Sequence, residues 1–373
     1  MEIDRGEGVF LYAKDGKRYT DFFGGLAVNA LGYNHPRVNA AIEKQIHRYI
    51  HLSNYYLQDA QIELAERIIR VSGYKRIFFS NSGTEAMEGA IKLARKWGKP
   101  SGKVQLFNLT NSFHGRTMGA LSLTDRPKYR DGYEPFLPNT ASIEFNNCAD
   151  LKTKINETTL GVILEFIQGE GGVNVISPEF AHELNALHQK LGFLLVADEI
   201  QAGMGRTGKF FGFEQYDVHP DVVVIAKAMG GGLPLGAILG NERVAEVLGY
   251  GAHGTTFGGN PVACAAGCAV MEEVVQNGLM KQAGTIGAYL KSQALALQKE
   301  FPAIVKDVRG IGCMLGMDLD RDGQPIVDEL RNRGLLINCT NTTVLRLLPP
   351  YIITQDLCDQ LFVELRSIIR SLK

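Results

Sequence analysis

Apolar positions along the chain fall into two kinds of run. Near the start, GVFLYAKDGKRYTDFFGG alternates apolar and polar residues on either side of Asp15-Gly16, the pattern of a hairpin closed by a tight turn. From Pro36 the spacing becomes helical, with Val38, Ile42, Ile46 and Ile50 on one face, and a second helical pattern covers Gln58 to Val71. RIFFS, VQLFNLT, GVILEF, FLLVA and VVVIA are short apolar runs that predict strands, the last two buried on both faces of a parallel sheet. Between them, one helix opens at Ser82-x-x-Glu85 with Ala86, Ala90, Ala94 and Trp97 in a stripe, and another spans Pro178 to Leu191. Residues 124–147, irregular and rich in Pro, Asp and Tyr, read as an ordered loop. After Gly232 the pattern predicts a strand at LPLGAILG, a short helix near Glu242 to Leu248, a tightly packed helix from Pro261 and an amphipathic helix ending near Phe301. From Pro302, VKDVRGIGCMLGMDL and LLINCTNTTVLRLLPP read as short strands with helices between and after them, a second, smaller α+β unit.

Composition narrows the class. With 45% hydrophobic and 21% charged residues over 373 positions, the chain has the balance of a globular protein large enough for two domains. A net charge of -1 gives no reason to expect a nucleic-acid or membrane partner, and no apolar run approaches a bilayer span. The start, MEIDRGEGVF, lacks an apolar signal core. The cysteines are scattered; Cys264 and Cys268, i and i+4 on a small-residue helix, have no partner pair or histidines nearby. Reduced thiols in a cytoplasmic protein are therefore expected, with neither disulfides nor a metal site.

Charge sits at the carboxyl ends of the buried runs. FLLVA delivers Asp198-Glu199, and VVVIA delivers Lys227, followed at once by Gly230-Gly231-Gly232 after Ala228-Met229. Open α/β sheets bind ligands at such strand ends. RIFFS stops at the capped helix start NSGTEA, whose backbone N–H groups form either an anion site or an ordinary helix opening. VQLFNLT ends in Phe113, His114 and Arg116, a ligand loop or a surface turn, and GVILEF is followed by glycines and Glu170. Two motifs mislead. Gly203-Met204-Gly205-Arg206-Thr207-Gly208 matches a dinucleotide fingerprint, but no helix pattern follows and the preceding acid pair would repel a pyrophosphate. Lys227 after a glycine-containing loop is similar to a kinase lysine, but H-R-D and D-F-G are missing downstream.

The lysine, the acid, the capped glycine and the aromatic and arginine residues at strand ends form the inventory that pyridoxal phosphate needs. Its aldehyde takes a lysine amine, its pyridine nitrogen a carboxylate, its phosphate helix N–H donors and its ring a flat apolar face. A buried Lys–Asp pair is the structural alternative for Lys227 and Asp198. Three glycines so close to a lysine favour function, because glycine there costs order.

NSGTEA, SFHGRT, IQGEGG, DEIQAGMGRTG, AKAMGGG, TTFGGNP and VLRLLPP, in this order, resemble the motifs of the class III, fold type I aminotransferases over essentially the whole chain. The resemblance implies an α/β fold: a large domain with a mainly parallel sheet flanked by helices, and a small α+β domain built from both chain ends. Residues 1–45 and 278–373 are expected in the small domain and 46–277 in the large one. It further implies pyridoxal phosphate as cofactor and a homodimer with shared active sites. Lys227 would bind the cofactor aldehyde and carry the proton; Asp198 would pair with the pyridine nitrogen, and Gln201 with the ring hydroxyl. Glu199 and Ile200 would complete the cofactor-binding stretch. Gly83 and Thr84 would bind the phosphate with Thr256 of the partner subunit, and Phe113 would stack on the ring. Arg116 would hold a substrate carboxylate, Thr255 would line the substrate site across the dimer, and Arg346 would bind the α-carboxylate of glutamate under a gate formed by Glu170.

Substrate choice rests on fewer residues. Ornithine-specific members carry tyrosine where this chain has Leu26, and DFFGGLAVNALG and LLINCTNTTVLRLLPP are more similar to the members that act on acetylornithine. Packing alone accounts equally well for Leu26. The expected reaction is δ-amino transfer from an acylated ornithine to 2-oxoglutarate, as in arginine synthesis. Ornithine, succinylornithine, succinyl-diaminopimelate and γ-aminobutyrate are the alternative donors, and an aminomutase or a non-catalytic binding protein the alternative classes. Phe166 stands where the family has proline, Ala202 where it has threonine or cysteine, and Met87 and Gly89 interrupt the usual helix sequence. The chain begins nearly at RGEG, whereas family members usually carry a further N-terminal segment.

Overall fold

The computed structural model describes residues 1–372. Its first three strands, β1 (Ile3–Glu7), β2 (Phe10–Ala13) and β3 (Arg18–Asp21), form an antiparallel meander whose β2–β3 turn is the expected Asp15-Gly16 hairpin. The next seven, β4 (Arg76–Ser80), β5 (Gln105–Leu109), β6 (Thr140–Ile143), β7 (Thr159–Leu164), β8 (Leu194–Asp198), β9 (Val222–Ile225) and β10 (Gly236–Gly240), make the central sheet in the order β4-β10-β9-β8-β7-β5-β6. Only β10 runs antiparallel, to β4 on one side and β9 on the other; the remaining pairs are parallel. The last five are β11 (Val305–Ile311), β12 (Met314–Leu319), β13 (Leu335–Leu336), β14 (Asn338–Thr340) and β15 (Val344–Leu347). Four of them form the antiparallel sheet β11-β12-β15-β14, while β13 pairs in parallel with β3. The two chain ends thus share a sheet, as expected of this α/β fold.

Why β8 and β9 sit in the middle follows from their composition. Every residue of both strands is buried. Successive side chains alternate between faces. Leu194 and Val196 enter the core under the helix Gly83–Gly98, together with Ala86, Ala90 and Ala94. Leu195, Ala197, Val223 and Ile225 enter the larger core on the opposite face. A strand apolar at every position is stable only where helices cover both faces, and that places the ends of β8 and β9 in the floor of a crevice.

Four stretches depart from the sequence pattern. Residues 124–147 contain a helical turn, Pro127–Arg130, and the edge strand β6. β6 pairs on one side only, and its sequence, TASI, carries no strong apolar signal. Near Glu242 to Leu248 there is a turn and no helix, because Asn241 Oδ1 accepts from Arg243 N, an Asx turn that competes with helical bonding. The helix from Pro36 ends at Ile46, and Gln45 turns inward with its Nε2 donating to Tyr49 O. Ile46 and Ile50 are consequently 44% and 64% exposed and do not extend the buried face of Val38. Finally, Gly24–Ala27 is a single left-handed turn in which Leu26 and Ala27 hold φ values of 64° and 66°, a conformation L-residues adopt at a cost.

Candidate functional site

A cavity of about 430 Å³ opens at the carboxyl ends of β4, β8 and β9. Its first wall is the start of the helix Gly83–Gly98. Ser82 Oγ accepts from Glu85 N at 3.3 Å. The Glu85 carboxylate reaches back to Asn81 rather than to the cap residue, so the capping box is only half formed. The N–H groups of Gly83 and Thr84 then have no partner among the described residues and open toward the cavity. Glycine at position 83 lets Ile200 pack close, since an added Cβ would stand 2.6 Å from Ile200 Cδ1 and force that side chain to shift.

The floor comes from β8 and the turn after it. Asp198 is 4% exposed. Its Oδ2 lies 2.7 Å from His114 Nδ1, and its Oδ1 accepts from Ile200 N at 3.1 Å. These bonds hold the carboxylate in one orientation. Gln201 also lines the cavity. Glu199 does not: alternation turns it to the other side of the strand end, where its carboxylate accepts from Gly212 N at 2.7 Å and Phe213 N at 3.0 Å. Burial pushes its carboxyl up to about 8. Within the stretch expected to bind the cofactor, the Glu199 side chain fastens the loop after β8.

Lys227 rises from the end of β9 with φ 49°, a strained position for a residue with a side chain. Burial pushes its amine down to about 8, against the opposing pull of the Glu170 and Asp198 charges. Such an amine is half neutral near pH 8, unlike an ordinary lysine. Phe113 and Arg116 stand on the loop after β5, with Arg116 exposed at the mouth. The Arg116 guanidinium lies 3.8 Å from the centre of the Tyr129 ring, and Tyr129 meets Phe113 edge-on at 5.7 Å.

Arg346, on β15, is fully buried behind the cavity. Its NH1 donates to Glu170 Oε1 at 2.7 Å and to Gln201 Oε1 at 3.4 Å, and its Nε donates to Asn338 Oδ1 at 3.1 Å. Burial alone would raise the Glu170 carboxyl, but the charge of Arg346 and its hydrogen bond hold it below the usual range. The structure therefore gathers Gly83, Thr84, Phe113, Arg116, Glu170, Asp198, Ile200, Gln201 and Lys227 on one cavity, with Arg346 directly behind Glu170. Thr255 and Thr256 line a neighbouring surface hollow with His51, Tyr55 and Tyr250, and Asn81 of the cavity wall donates its Nδ2 to Thr255 Oγ1 at 3.1 Å. Leu26 is 41% exposed, and it is Val28 that lines the cavity.

Two residues carry roles that the sequence reading does not assign: His114 stands there only as part of a possible ligand loop, and Glu165 not at all. His114 is buried beside Asp198, and its Nε2 has no partner among the described residues. Glu165, one residue past β7, lines the cavity and accepts from Phe113 N and Gly169 N, both at 3.0 Å. Burial pushes its carboxyl up to about 7. A carboxylate ending a buried strand was the available signal for Glu165; nothing in the sequence pairs His114 with Asp198.

Pyridoxal phosphate fits these groups. Unpaired N–H donors at a helix start suit a phosphate dianion, an amine of lowered pKa suits an aldehyde, and an oriented buried carboxylate suits a ring nitrogen that must stay protonated. A fold with a mostly parallel central sheet and a site of this kind define a fold type I pyridoxal-phosphate enzyme.

Residues 1–369 match the family model "Aminotransferase class-III", and the chain belongs to that family. It is a pyridoxal-phosphate-dependent aminotransferase. An acetylornithine aminotransferase of Methanocaldococcus jannaschii is 42% identical over 99% of this chain and 93% of its own length. One from Aquifex aeolicus is 42% identical over 99% of this chain and 97% of its own. Among solved structures, the ornithine aminotransferase of Toxoplasma gondii superposes with a TM-score of 0.95 at 29% identity, covering 100% of this chain and 90% of that one. A PLP-bound amine transaminase from an uncultivated Pseudomonas species gives 0.94 at 29% identity, covering 100% and 95%.

Proposed function

We propose that this enzyme transfers the δ-amino group of N2-acetylornithine to 2-oxoglutarate, giving N-acetylglutamate 5-semialdehyde and glutamate, a step of arginine synthesis. The observation that carries the reading is a pair of arginines at one lysine-bearing cavity: Arg116 exposed at its mouth, and Arg346 buried behind its wall and neutralised by Glu170. Near full-length identity of 42% to acetylornithine aminotransferases supports the same donor.

Bound in the cavity, pyridoxal phosphate supplies an aldehyde for amine exchange and a ring that accepts the electrons of the broken C–H bond. The chain's residues supply the rest. Gly83 and Thr84 would hold the phosphate, joined by Thr256 of the partner subunit. Asp198, fixed by His114 and Ile200 N, would keep a proton on the ring nitrogen, Gln201 would pair with the ring hydroxyl, and Phe113 would cover one face. Lys227 would bind the aldehyde, and its Nζ, an amine of lowered pKa, would serve as the base and acid that moves the substrate proton.

The two arginines account for the use of two unlike substrates. Glutamate brings two carboxylates, one for Arg116 and its α-carboxylate for Arg346, which Glu170 must release. Acetylornithine brings one distant carboxylate for Arg116 and an uncharged chain near Arg346, where the closed Glu170 pair keeps the buried charge neutralised.

A homodimer in the cytoplasm belongs to the same reading. Tyr55, Tyr250 and Phe257 are 87%, 101% and 59% exposed around Thr255 and Thr256, an apolar rim suited to a second copy. The small domain would comprise residues 1–45 and 278–373 and the large domain 46–277, the first boundary falling near the end of the helix Pro36–Ile46.

The test is kcat/KM with 2-oxoglutarate for N-acetylornithine, ornithine, N-succinylornithine and γ-aminobutyrate. N-acetylornithine is expected to lead the series. A preference for free ornithine or γ-aminobutyrate overturns the donor assignment.

A further inference from the structure

Glu170 and Arg346 are unequal partners. The side chain of Arg346 is 1% exposed and tied to Asn338 and Gln201 as well, whereas that of Glu170 is 22% exposed on the cavity side. Glu170 is thus the member free to move. Its chain neighbours, Gly169, Gly171 and Gly172, ought to make the whole segment loose. The structure removes that looseness, because every carbonyl from Glu170 to Gly172 accepts a side-chain donor. Arg126 NH1 and Thr340 Oγ1 both donate to Glu170 O, each at 2.8 Å. Asn341 Nδ2 and Asn174 Nδ2 donate to Gly171 O at 2.7 and 2.9 Å. Arg309 Nε donates to Gly172 O at 2.9 Å and is itself held by Asp307 and Asp318.

The two donors on Glu170 O come from different parts of the fold. Arg126 directly precedes the helical turn Pro127–Arg130 beside the central sheet. Thr340 ends β14, whose neighbour β15 carries Arg346, with Asn338 opposite Arg346 and Thr340 opposite Val344. The same small sheet therefore presents the buried arginine and one side of the grip on its gate.

We propose that Arg126 and Thr340 are positioning residues that fix the Glu170 backbone from both sides, so that the gate opens by side-chain rotation alone and its closed state is set by the clamp. This rests on the reading that Glu170 gates Arg346. With the carbonyl pinned, the carboxylate has one backbone origin from which it reaches Arg346 NH1 at 2.7 Å. Freed of one donor, the glycine-flanked segment drifts, the closed pair weakens, and Arg346 is left exposed to whichever carboxylate arrives. The substrate that uses the closed state is penalised, and the one that uses the open state is not.

The experiment measures the two half-reactions separately on the full-length holoenzyme by rapid mixing, with N-acetylornithine or with glutamate. Thr340→Val removes the hydroxyl and keeps the shape; Arg126→Met removes the other donor independently. Each is expected to weaken N-acetylornithine binding by roughly three- to tenfold, the range of one net hydrogen bond, with glutamate binding unchanged or tighter and both limiting rates retained. Thr340→Ser is expected to restore the wild-type ratio, which a purely structural defect would not show. Glu170→Gln serves as the reference. If it divides the two half-reactions while Thr340→Val and Arg126→Met weaken both equally or neither, the clamp is wrong and the gate stands. If Glu170→Gln itself changes both equally, the gate falls and the clamp with it.

Discussion

Lys227 provides a stability measurement that needs no substrate. In the apoprotein its amine is pushed by burial from 10.5 down to about 8. In the unfolded chain it returns to its ordinary value, so between these limits the unfolded state binds more protons and stability rises with pH. At about 1.4 kcal/mol per pH unit the full burden is about 3 kcal/mol, present below about pH 8 and gone above about pH 10.5. Between about pH 7 and about pH 9.5, wild-type apoprotein should gain about 2 kcal/mol from this group. Lys227→Met buries a side chain of similar length with no charge and should lack that gain while being more stable at neutral pH. The assay is urea unfolding of both apoproteins across this range at one fixed protein concentration. Taking the difference between them cancels the tyrosines and cysteines that titrate nearby. Parallel stability curves would show that Lys227 is not a desolvated amine, and the account of its reactivity would fail with them.

Other perturbations probe separate walls of the site. Tyr129→Leu removes the ring under Arg116, and KM for the carboxylate-bearing donor should rise about two- to thirtyfold with kcat little changed, the range of a cation–π contact. His114→Leu deprives Asp198 of its charge-assisted partner; equilibrium dialysis should find cofactor affinity reduced at least about tenfold, and unchanged affinity would remove His114 from the site. Gly83→Ala drives a methyl into Ile200 and should cost about 1–3 kcal/mol by thermal unfolding, with Ile200→Val restoring part of the loss.

Much of this was legible in the sequence wherever burial was complete. FLLVA and VVVIA announce β8 and β9 because every position is apolar, and the ends of the Pro178–Leu191 helix match since Ser177 caps it and Gly192 closes it in a left-handed conformation. The edge strand β6 was hidden because only Ile143 among its residues is fully buried. The left-handed turn at Leu26 was hidden as well, since glycine–glycine–leucine signals a bend without its hand. At the site, strand-end chemistry located Asp198 and Lys227, while His114 needed a contact across 84 residues that no local pattern encodes. Glu199 is next to Asp198 in sequence, yet the alternation of a strand end sends its carboxylate to the loop after β8.

The most direct measurement concerns the lysine on which the whole site depends. Holoenzyme reduced with borohydride, which fixes the lysine–cofactor bond, is digested and its peptides weighed by mass spectrometry. The account predicts one pyridoxyl phosphate per chain, attached to the peptide containing Lys227 and lost in Lys227→Ala. Attachment to a different lysine, or none at all in protein saturated with cofactor, would contradict it.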